Sequence, residues 1–470
     1  GQAGAVVSTN NGYLTLRASV PVTIAATSYT TDSDALTAGR PQWDGVRFQG
    51  SNLTLDLQNI SQIYHESTGK QHWFDGCRIT NSAGRAAYWR EGTRQTVVGF
   101  VCRGNAYFTE CTIDNIGNPC VNAALARGCS ISTTFADAFS DAWCVVGNTV
   151  TDQDSTDFAS DVLAMTVTYT GAEATATLAL SGANDASSRT FTATWGANSS
   201  TFTVGSSFAM RTANTYLWSH VAAWINGLAA GWSATVVDNT RRASSGCLSG
   251  TQGIAFTAQN VKNTTLSVYS MFDIHADWYQ QNNSGRLENC YIEGNTGVGI
   301  VGQDIFITGT SGARDFVVFN NVFWNKPTTG GYDINANLKS QLRGTHSHVV
   351  VVHNTLATQN FYLRTDQSPA YNPDSYCLLA NNAVRGIEWG GARDNDLVIS
   401  NNVLQSGNAD PAGATGTTIS GTDLSQFVSA STGDFRPSGA LKANKKASIV
   451  LPYRASRGRA ATTPAGALPV

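Results

Sequence analysis

A short unit that recurs in the second half of the chain decides the fold. Its copies read VFNNVF at residues 318–323, VVHNTL at 351–356, LANNAV at 379–384 and ISNNVL at 399–404, and LENCYI at 287–292 aligns one step earlier. Each copy has an apolar residue, a variable residue, a polar pair that is usually Asn-Asn, and a strand-like continuation. The units contain strand and turn signals and no helical pattern, so we interpret them as equivalent strand and turn modules.

The spacing of these units predicts stacked coils. Successive copies are offset by 31, 33, 28 and 20 residues, counted at Cys290, Asn321, Asn354, Asn382 and Asn402. Repeats of about 20 to 50 residues are typical of solenoids. Offsets that vary through loops of different length suit a right-handed parallel β-helix, in which each coil adds one rung. We therefore predict an all-β chain.

The paired asparagines have a physical reason in such a fold. An Asn at a tight bend tolerates the left-handed backbone region, and its amide can hydrogen-bond to the same position of the next coil. Stacked Asn residues then form a ladder inside the corner. His353 replaces an Asn in this frame, so we interpret it as a ladder residue rather than a catalytic one.

Earlier segments have the same character, so the solenoid is expected on both sides of a central insertion. These segments are LTLDLQNISQIYHE at 53–66, HWFDGCRITN at 72–81 and AYFTECTIDN at 106–115. The predicted domains are the N-terminal part of the β-helix at 1–161, an inserted α+β domain at 162–243, the C-terminal part of the β-helix at 244–404 and an irregular cap or tail at 405–470.

The insertion begins with alternating strands such as MTVTYTG and continues with apolar residues at helical spacing. The helical residues are Tyr216, Leu217, Val221, Trp224, Ile225 and Leu228. Thr212 or Asn214 is the expected N-cap of this helix, and Gly231 is its expected end. The segment resembles a module of bacteriophage tail-associated proteins, which implies a setting rather than a chemistry. The alternative is an accessory domain or an enlarged loop.

The C-terminal segment contains DFRPSGALKANKK and PYRASRGRAATTPAGALPV. It resembles the closing segment of bacterial and phage β-helix proteins. That resemblance implies an irregular tail laid across the last coil, which covers the open end of the sheets.

Composition excludes two classes of partner. The chain has 30 basic and 33 acidic residues, a net charge of −3, and no basic field to hold a nucleic-acid backbone. No apolar run approaches the roughly 18 residues of a membrane span, and the first residues lack the regions of a signal peptide. We expect a chain without a membrane span, from which any export signal has already been removed.

The 9 cysteines show no C-x-x-C spacing, which disfavours a zinc site. Cys77, Cys111 and Cys290 share one local frame and are predicted to occupy equivalent buried positions. Two disulfides remain open for an extracellular protein, Cys102 with Cys120 and Cys144 with Cys247.

The candidate site is MFDIHADWYQ at residues 271–280. Strand alternation places Asp273, His275, Asp277 and Tyr279 on one face, together with Met271, and leaves Gln280 at a bend. His275, Asp277 and Gln280 resemble the H-x-D-x-x-Q pattern of right-handed β-helix proteins that act on or bind carbohydrate, among them uronate lyases and epimerases. The alternative is a capped bend with a hydrogen-bonded His-Asp pair.

A uronate lyase abstracts a proton next to a carboxylate, neutralises that carboxylate and protonates the leaving oxygen. His275 or Tyr279 could act as base or acid, and Asp277 could orient His275. Arg314 could neutralise the substrate carboxylate through its bidentate fork. Further substrate-binding candidates are Gln280, Trp324, Lys326, Arg343, His346 and His348.

Of these, His346 and His348 are predicted to project from one face, as alternative bases or as parts of a polar loop. Aromatic side chains along a groove suit sugar rings. The candidates for this role are Trp73, Tyr88, Trp89, Trp278, Tyr279, Trp324, Tyr362 and Trp389.

An acidic run could bind calcium, carry a pair of carboxylates for glycoside hydrolysis, or simply be solvated. It contains Asp141, Asp152, Asp154, Asp157 and Asp161. Calcium is therefore the one cofactor that the sequence leaves open.

Three functions follow. The first is a lyase that cleaves an acidic polysaccharide. The second is a phage tailspike or receptor-binding protein that binds bacterial surface polysaccharide, with or without cleavage, and the third is a purely adhesive β-helix. The expected partner is a polysaccharide, the expected state is a monomer for a lyase and a homotrimer for a tailspike, and the expected location is extracellular or virion-associated.

Overall fold

The computed structural model of the chain describes residues 5–10, 13–25, 45–57, 71–82, 89–90, 93–94, 102–103, 106–134, 137–153, 162–181, 188–205, 217–239, 246–247, 258–270, 277–281, 287–300, 302–307, 313–325, 340–343, 346–364, 377–390, 397–400, 402–404, 418–419, 427–429 and 434–438. These residues form three stacks of parallel strands and an antiparallel domain inserted between two coils.

Sheet 1 is the first wall of each coil. From β2 onward its strands pair in parallel, and β1 lies antiparallel to β2. The strands are β1 (Ala5–Asn10), β2 (Tyr13–Ala18), β4 (Gly45–Gln49), β6 (Gln71–Asp75), β11 (Ala106–Thr109), β14 (Leu125–Arg127), β17 (Cys144–Val146), β28 (Leu287–Glu288), β29 (Tyr291–Glu293), β32 (Ala313–Phe319), β35 (Ser347–Val352), β37 (Cys377–Ala380) and β39 (Leu397–Ser400).

Sheet 2 follows sheet 1 across a short corner, and its strands also pair in parallel. The strands are β3 (Val22–Ala25), β5 (Leu53–Asp56), β7 (Arg78–Thr80), β12 (Thr112–Asp114), β15 (Ser130–Ser132), β18 (Thr149–Thr151), β30 (Thr296–Ile300), β33 (Val322–Asn325), β36 (Thr355–Arg364), β38 (Ala383–Gly390), β40 (Val403–Leu404) and β41 (Thr418–Ile419).

Sheet 3 completes the coil. It also contains the second halves of β36 and β38, which continue from sheet 2. Its own strands are β10 (Cys102–Arg103), β13 (Cys120–Val121), β16 (Phe139–Ser140), β27 (Tyr279–Gln281), β31 (Ile305–Ile307) and β34 (Ser340–Arg343). Parallel strands that return to the same sheet once per coil confirm the predicted parallel β-helix.

The interior is built by strand alternation, because every second side chain of a strand points inward. Phe48, Phe74 and Phe108 stack on successive coils with ring centroids 5.3 and 4.9 Å apart and planes within 9°. Farther along the stack, a second group of interior rings comes from sheets 2 and 3, with Trp278 4.8 Å from Phe139 and 4.6 Å from Phe323. The aromatic residues thus fill the solenoid along its axis.

An asparagine ladder occupies the corner between sheets 1 and 2, as predicted. In every step, the backbone N–H and Nδ2 of one Asn donate to Oδ1 of the Asn on the next coil, at 2.8–3.1 Å. Each Nδ2 from the second Asn onward also donates to a strand carbonyl of the preceding coil. The ladder residues are Asn148, Asn295, Asn321, Asn354, Asn382 and Asn402.

The residue before each ladder position takes the left-handed conformation that turns the chain into sheet 2. Gly147, Gly294, Asn320, His353 and Asn381 have φ angles between 55 and 65°. His353 Nε2 lies 3.3 Å from Asn381 Nδ2, so a second row of contacts follows the ladder. His353 therefore holds the left-handed position beside the ladder, and the ladder residue of its coil is Asn354.

In the earlier coils, cysteine replaces asparagine at the ladder position. Cys77 and Cys111 are buried with their Sγ atoms 3.9 Å apart, and Cys129 Sγ continues the column beside Asn148. Cys290 is buried as predicted, but its position is not equivalent to those of Cys77 and Cys111. That residue precedes β29 in sheet 1, and Asn295 holds the ladder position of its coil. The error arose because Gly294, not a second Asn, supplies the left-handed residue there.

Seven cysteines have described side chains, Cys120 and Cys144 among them, and no two of these seven are joined by a disulfide. The side chains of Cys102 and Cys247 lie outside the described residues. Burial raises the pKa of the Cys120 thiol well above its ordinary value.

The insertion has its own core, made by two four-stranded antiparallel sheets and a helix. Its elements are β19 (Val162–Tyr169), β20 (Ala176–Ser181), β21 (Ser188–Trp195), β22 (Asn198–Gly205), α1 (Trp218–Asn226), β23 (Trp232–Val236), β24 (Gly246–Cys247), β25 (Gln259–Asn260) and β26 (Leu266–Ser270). Because β26 pairs with β19, the insertion's sheets extend to Ser270, beyond the predicted boundary at 243.

Two antiparallel strand pairs lie outside both the coils and the insertion. They are β8 (Trp89–Arg90) with β9 (Thr93–Arg94) and β42 (Phe427–Ser429) with β43 (Asp434–Pro437).

Helix α1 begins after Leu217, whose N–H donates to Nδ1 of His220 at 3.1 Å. It ends before Gly227, so neither the predicted caps nor the predicted end at Gly231 is observed. Among the described residues, no helix has the length and apolar character to cross a membrane.

We expect Asn321→Ala to destabilise the fold strongly. The substitution removes Oδ1, which accepts the Asn295 N–H at 2.9 Å, and leaves this buried donor without its acceptor. Unsatisfied buried groups cost about 1–3 kcal/mol each, so a loss of about 2–4 kcal/mol is expected in the free energy of unfolding measured with urea. Asn198→Ala, at an exposed position of β22, is the control. Equal losses in the two variants would contradict the role of the ladder.

Candidate functional site

The described part of the predicted 271–280 site, residues 277–280, belongs to the interior. His275 lies outside the described residues, while Asp277, Trp278 and Tyr279 are each 0% exposed and Gln280 is 8% exposed. Strand alternation fails here because β27 begins only at Tyr279 and the two preceding residues form the turn into sheet 3. The expected outward row of Asp277 and Tyr279 is therefore wrong.

Asp277 is part of a second polar ladder, which lies where successive coils enter the strands of sheet 3. Its backbone N–H donates to Asp137 Oδ1 at 3.1 Å, and its own Oδ1 accepts the Gln303 N–H at 2.6 Å. Register places Asp137, Asp277 and Gln303 directly above one another on three coils. Asp277 thus caps a bend, as in the alternative interpretation of the sequence, and the His275 partner of that alternative lies outside the described residues.

Tyr279 faces the hydrophobic core. Its hydroxyl donates to the Ala142 carbonyl at 2.9 Å and lies 3.5 Å from Cys290 Sγ. Burial, with the nearby Cys290, raises the pKa of the phenol well above its ordinary value. A buried phenol held in this way has no access to a polymer and is not available as a base.

The remaining predicted residues are distributed over several environments. His346 is fully buried, and its Nδ1 accepts the Ala313 N–H at 3.1 Å. Trp324 is half-buried on sheet 2. Lys326 and the Arg343 side chain lie outside the described residues.

Arg314 and His348 are exposed and lie together near the N-terminal ends of their sheet 1 strands, β32 and β35. His348 Nδ1 lies 2.9 Å from Asp315 Oδ1, and Arg314 Nε lies 3.5 Å from Asp315 Oδ2. On the preceding coil, Glu288 Oε1 is 4.0 Å from Arg314 Nη1. We call these four residues the sheet 1 ion cluster.

Backbone conformation brings the cluster to the surface. Asn289, Asp315 and His348 have φ angles of 56, 49 and 54°, and strand register stacks these left-handed residues on three coils. Each interrupts the alternation of its strand, which is why His348 is exposed although His346, two residues earlier, is buried. The prediction that the two histidines share a face is wrong for this reason.

The cluster is open to solvent. Exposed fractions of the side chains are 48% for His348, 49% for Arg314, 47% for Glu288 and 27% for Asp315. Exposed ion pairs add little stability, typically about 0–1 kcal/mol. The cluster is therefore a minor contributor to folding, and its charged groups remain accessible to a ligand.

The arrangement can perform proton transfer. When the imidazole carries its proton on Nδ1 and donates it to Asp315, Nε2 keeps a lone pair that can accept a proton. Arg314 places a cation beside this base, which suits a carboxylate of a substrate. The sequence interpretation missed Asp315 and Glu288, although Asp315 stands next to Arg314 in SGARDF.

The acidic run does not form a metal site in the described part of the chain. Asp141 is buried and Asp152 is exposed, whereas Asp154, Asp157 and Asp161 lie outside the described residues. Within the described ranges, no group of three or more His, Cys, Asp and Glu side chains could hold a metal ion. Calcium binding stays a prediction for the residues beyond those ranges.

A second buried carboxyl lies next to the Asp277 ladder. Asp304 is 0% exposed, and burial raises its pKa well above the ordinary value, with a further contribution from the charge of Asp277. Hydrogen bonds with Asn325 and Ser340 act in the opposite direction and are too weak to cancel it. This carboxyl therefore binds its proton more tightly in the folded chain than in the unfolded one.

Comparison with protein-family models, with curated proteins and with solved structures finds no match for this chain. Function is therefore inferred from the geometry of the described residues.

We expect Asp304→Asn to change how stability depends on pH. Above the unfolded pKa of about 3.8, the native Asp304 holds a proton that the unfolded chain releases, so stability falls as pH rises toward the folded pKa. The Asn variant lacks this loss. The difference between its melting temperature and that of the unmodified protein should therefore shift in favour of the variant as pH rises from about 4 to about 8. Asp152→Asn, which changes an exposed carboxyl in the same way, is the matched control. A parallel pH profile for Asp304→Asn would contradict the raised pKa.

Proposed function

We propose that this protein cleaves an acidic polysaccharide by β-elimination at the sheet 1 ion cluster. The observation that carries the proposal is the 2.9 Å contact between His348 Nδ1 and Asp315, with Arg314 beside the same carboxylate. An oriented imidazole and an accessible guanidinium are two groups that the elimination requires.

The reaction assigns one task to each group. His348 Nε2 takes the proton from the carbon next to the uronate carboxylate, while Arg314 binds that carboxylate and stabilises the negative charge that develops on it. The electron pair of the broken C–H bond forms a C=C bond as the glycosidic oxygen leaves the neighbouring carbon. The leaving oxygen takes its proton from the imidazolium or from water. Asp315 keeps the imidazole in the required tautomer and stabilises the imidazolium.

The location also supports a polymeric substrate. The cluster lies on the outer side of a parallel sheet, where Glu288, Arg314 and Ser347 are in register on successive coils. Strands of neighbouring coils are about 4.8 Å apart, so the wall offers side chains at regular intervals to an extended chain.

Binding without cleavage is the second candidate. Two observations favour it. Tyr279, which the sequence offered as base or acid, is fully buried, and Arg314 already contacts two carboxylates. Under this alternative the same surface holds a polysaccharide, as in a tailspike or receptor-binding protein. The predicted homotrimer belongs to this alternative.

We expect His348→Ala to abolish formation of unsaturated uronate from acidic polysaccharides while leaving polymer binding intact, because the variant lacks the base but keeps Arg314. The product is followed by its near-ultraviolet absorbance on polygalacturonate, alginate, hyaluronate and bacterial capsular glycans. Asp315→Asn should reduce turnover by about 10- to 100-fold, since orienting partners of histidine typically contribute this much.

His220→Ala, which alters a histidine of the inserted helix far from the cluster in sequence, is the matched control and should retain full turnover. Turnover by His348→Ala equal to that of the unmodified protein would contradict the assignment of the base. Absence of product from every acidic polymer, with binding retained, would select the binding function.

A further inference from the structure

On the first coils, the outward side chains of sheet 1 form two columns that run from β4 to β14. In the first column, Arg47, Trp73, Tyr107 and Leu125 are in register on consecutive strands. The second column contains Gln49, Asp75, Thr109 and Arg127 on the same strands. We call these eight residues the sheet 1 outer wall.

The aromatic side chains of this wall are held in place by their neighbours. Arg47 Cζ lies 4.3 Å from the centroid of the Trp73 ring, and the Trp73 and Tyr107 centroids are 6.1 Å apart. Trp73 Nε1 donates to Thr109 Oγ1 at 2.9 Å. The ring and guanidinium planes are thus fixed before any ligand arrives, which lowers the entropy cost of binding.

Asp75 joins the two columns. Its carboxylate accepts hydrogen bonds from Arg47, from Gln49 Nε2 at 2.9 Å and from Thr109 Oγ1 at 2.8 Å. Partial burial pulls the pKa of Asp75 upward, and these hydrogen bonds outweigh it, so the pKa lies below its ordinary value. The carboxylate is charged at neutral pH and neutralises Arg47.

Arg127 differs from Arg47 in having no ion-pair partner in the described part of the chain. It is exposed, in register with Thr109 on one side and with Val146 on the other. The wall therefore presents a single uncompensated positive charge beside its aromatic rings, and this charge is free to meet an anionic group.

The rings of the wall are not needed to fill the solenoid. Phe48, Phe74 and Phe108 already stack inside the same three strands. On later coils, the outward positions of sheet 1 are apolar and buried, as at Val317 and Phe319. On the first coils, half-buried aromatic and charged residues hold the positions that buried apolar residues hold later. This difference indicates that the outer face of the first coils contacts something other than the core.

We propose that the sheet 1 outer wall is a separate binding surface for acidic polysaccharide, with a sugar ring against Tyr107 and a uronate carboxylate on Arg127. Its ligand class rests on the proposed function, and its geometry does not. Arg127 and Arg314 lie on the same sheet, three coils or about 14 Å apart along the stack. Arg314 also lies five residues before Phe319, the residue of β32 in line with Arg127, which adds about 17 Å along the strands. One polymer chain that crosses the sheet diagonally over about 22 Å can therefore contact this surface and the ion cluster together, which holds the substrate between encounters with His348.

The test measures binding and cleavage separately. Binding is measured by affinity electrophoresis in gels that contain polygalacturonate, alginate, hyaluronate or neutral dextran, with the His348→Ala protein so that the polymer stays intact. Arg127→Ala in this background should weaken binding to the acidic polymer about tenfold, the loss expected for one charge-assisted contact, and leave the weak retention by dextran unchanged. The matched control is Arg78→Ala, which removes an exposed arginine from sheet 2 that pairs with Asp114 at 3.0 Å.

The ring is tested with a conservative pair. Tyr107→Ala should weaken binding while Tyr107→Phe retains it, and thermal melting checks that both variants are folded. Equal retention of the Arg127→Ala and Arg78→Ala proteins in every gel would overturn the proposal, as would unchanged binding by a folded Tyr107→Ala variant.

The two proposals fail in different ways. With the catalytic histidine intact, Arg127→Ala should slow cleavage of long polymer and leave cleavage of short oligosaccharides unchanged. If no variant cleaves anything, the gels still decide whether the outer wall binds. If Arg127→Ala slows short and long substrates equally, Arg127 belongs to the ion cluster's own site and the separate surface is overturned.

Discussion

The hydrogen bond from one ladder asparagine to the next holds the coils in register. Each such amide accepts the backbone N–H of the neighbouring coil and donates to a strand carbonyl. Without the asparagine side chain, these buried backbone groups at the corner would lack hydrogen-bond partners. Individual bonds of this kind contribute about 0.5–1.5 kcal/mol. Their regularity matters more, because a slip of one residue would turn every inward side chain of the following strand outward.

Fixed register is what gives the outer surface its chemistry. Glu288, Arg314 and His348 are separated by 26 and 34 residues along the chain, and they meet because their strands occupy successive coils of sheet 1. The same register aligns Trp73 with Tyr107, and Asp75 with Thr109, on the first coils. Sites on a solenoid wall are therefore assembled from residues that occupy one position per coil.

Polar residues in this fold serve two purposes that look alike in a sequence. Asp277 belongs to an H-x-D-x-x-Q sequence that resembles a pattern of carbohydrate-active proteins. The residue is nevertheless fully buried, and its carboxylate caps a turn. His348 stands in a stretch with no such pattern, yet it is exposed because its left-handed backbone interrupts the strand. The difference is made at the corners, where a polar side chain is either needed inside to satisfy backbone groups or turned out by the bend.

The sequence by itself determined the architecture, because the ladder is a local pattern that recurs every 20 to 33 residues in the second half of the chain, and such a repeat has few ways to pack other than by stacking. It also determined that a separate module interrupts the stack, because strand and helix periods replace the repeat there. Only the tertiary structure decided which polar residues face outward. It also decided that Gly294 takes the place of the first asparagine of the pair, and that β26 closes the insertion at Ser270. These depend on which single residues take the left-handed backbone conformation and on pairing between distant strands, and alternation counted along one strand carries no information about either.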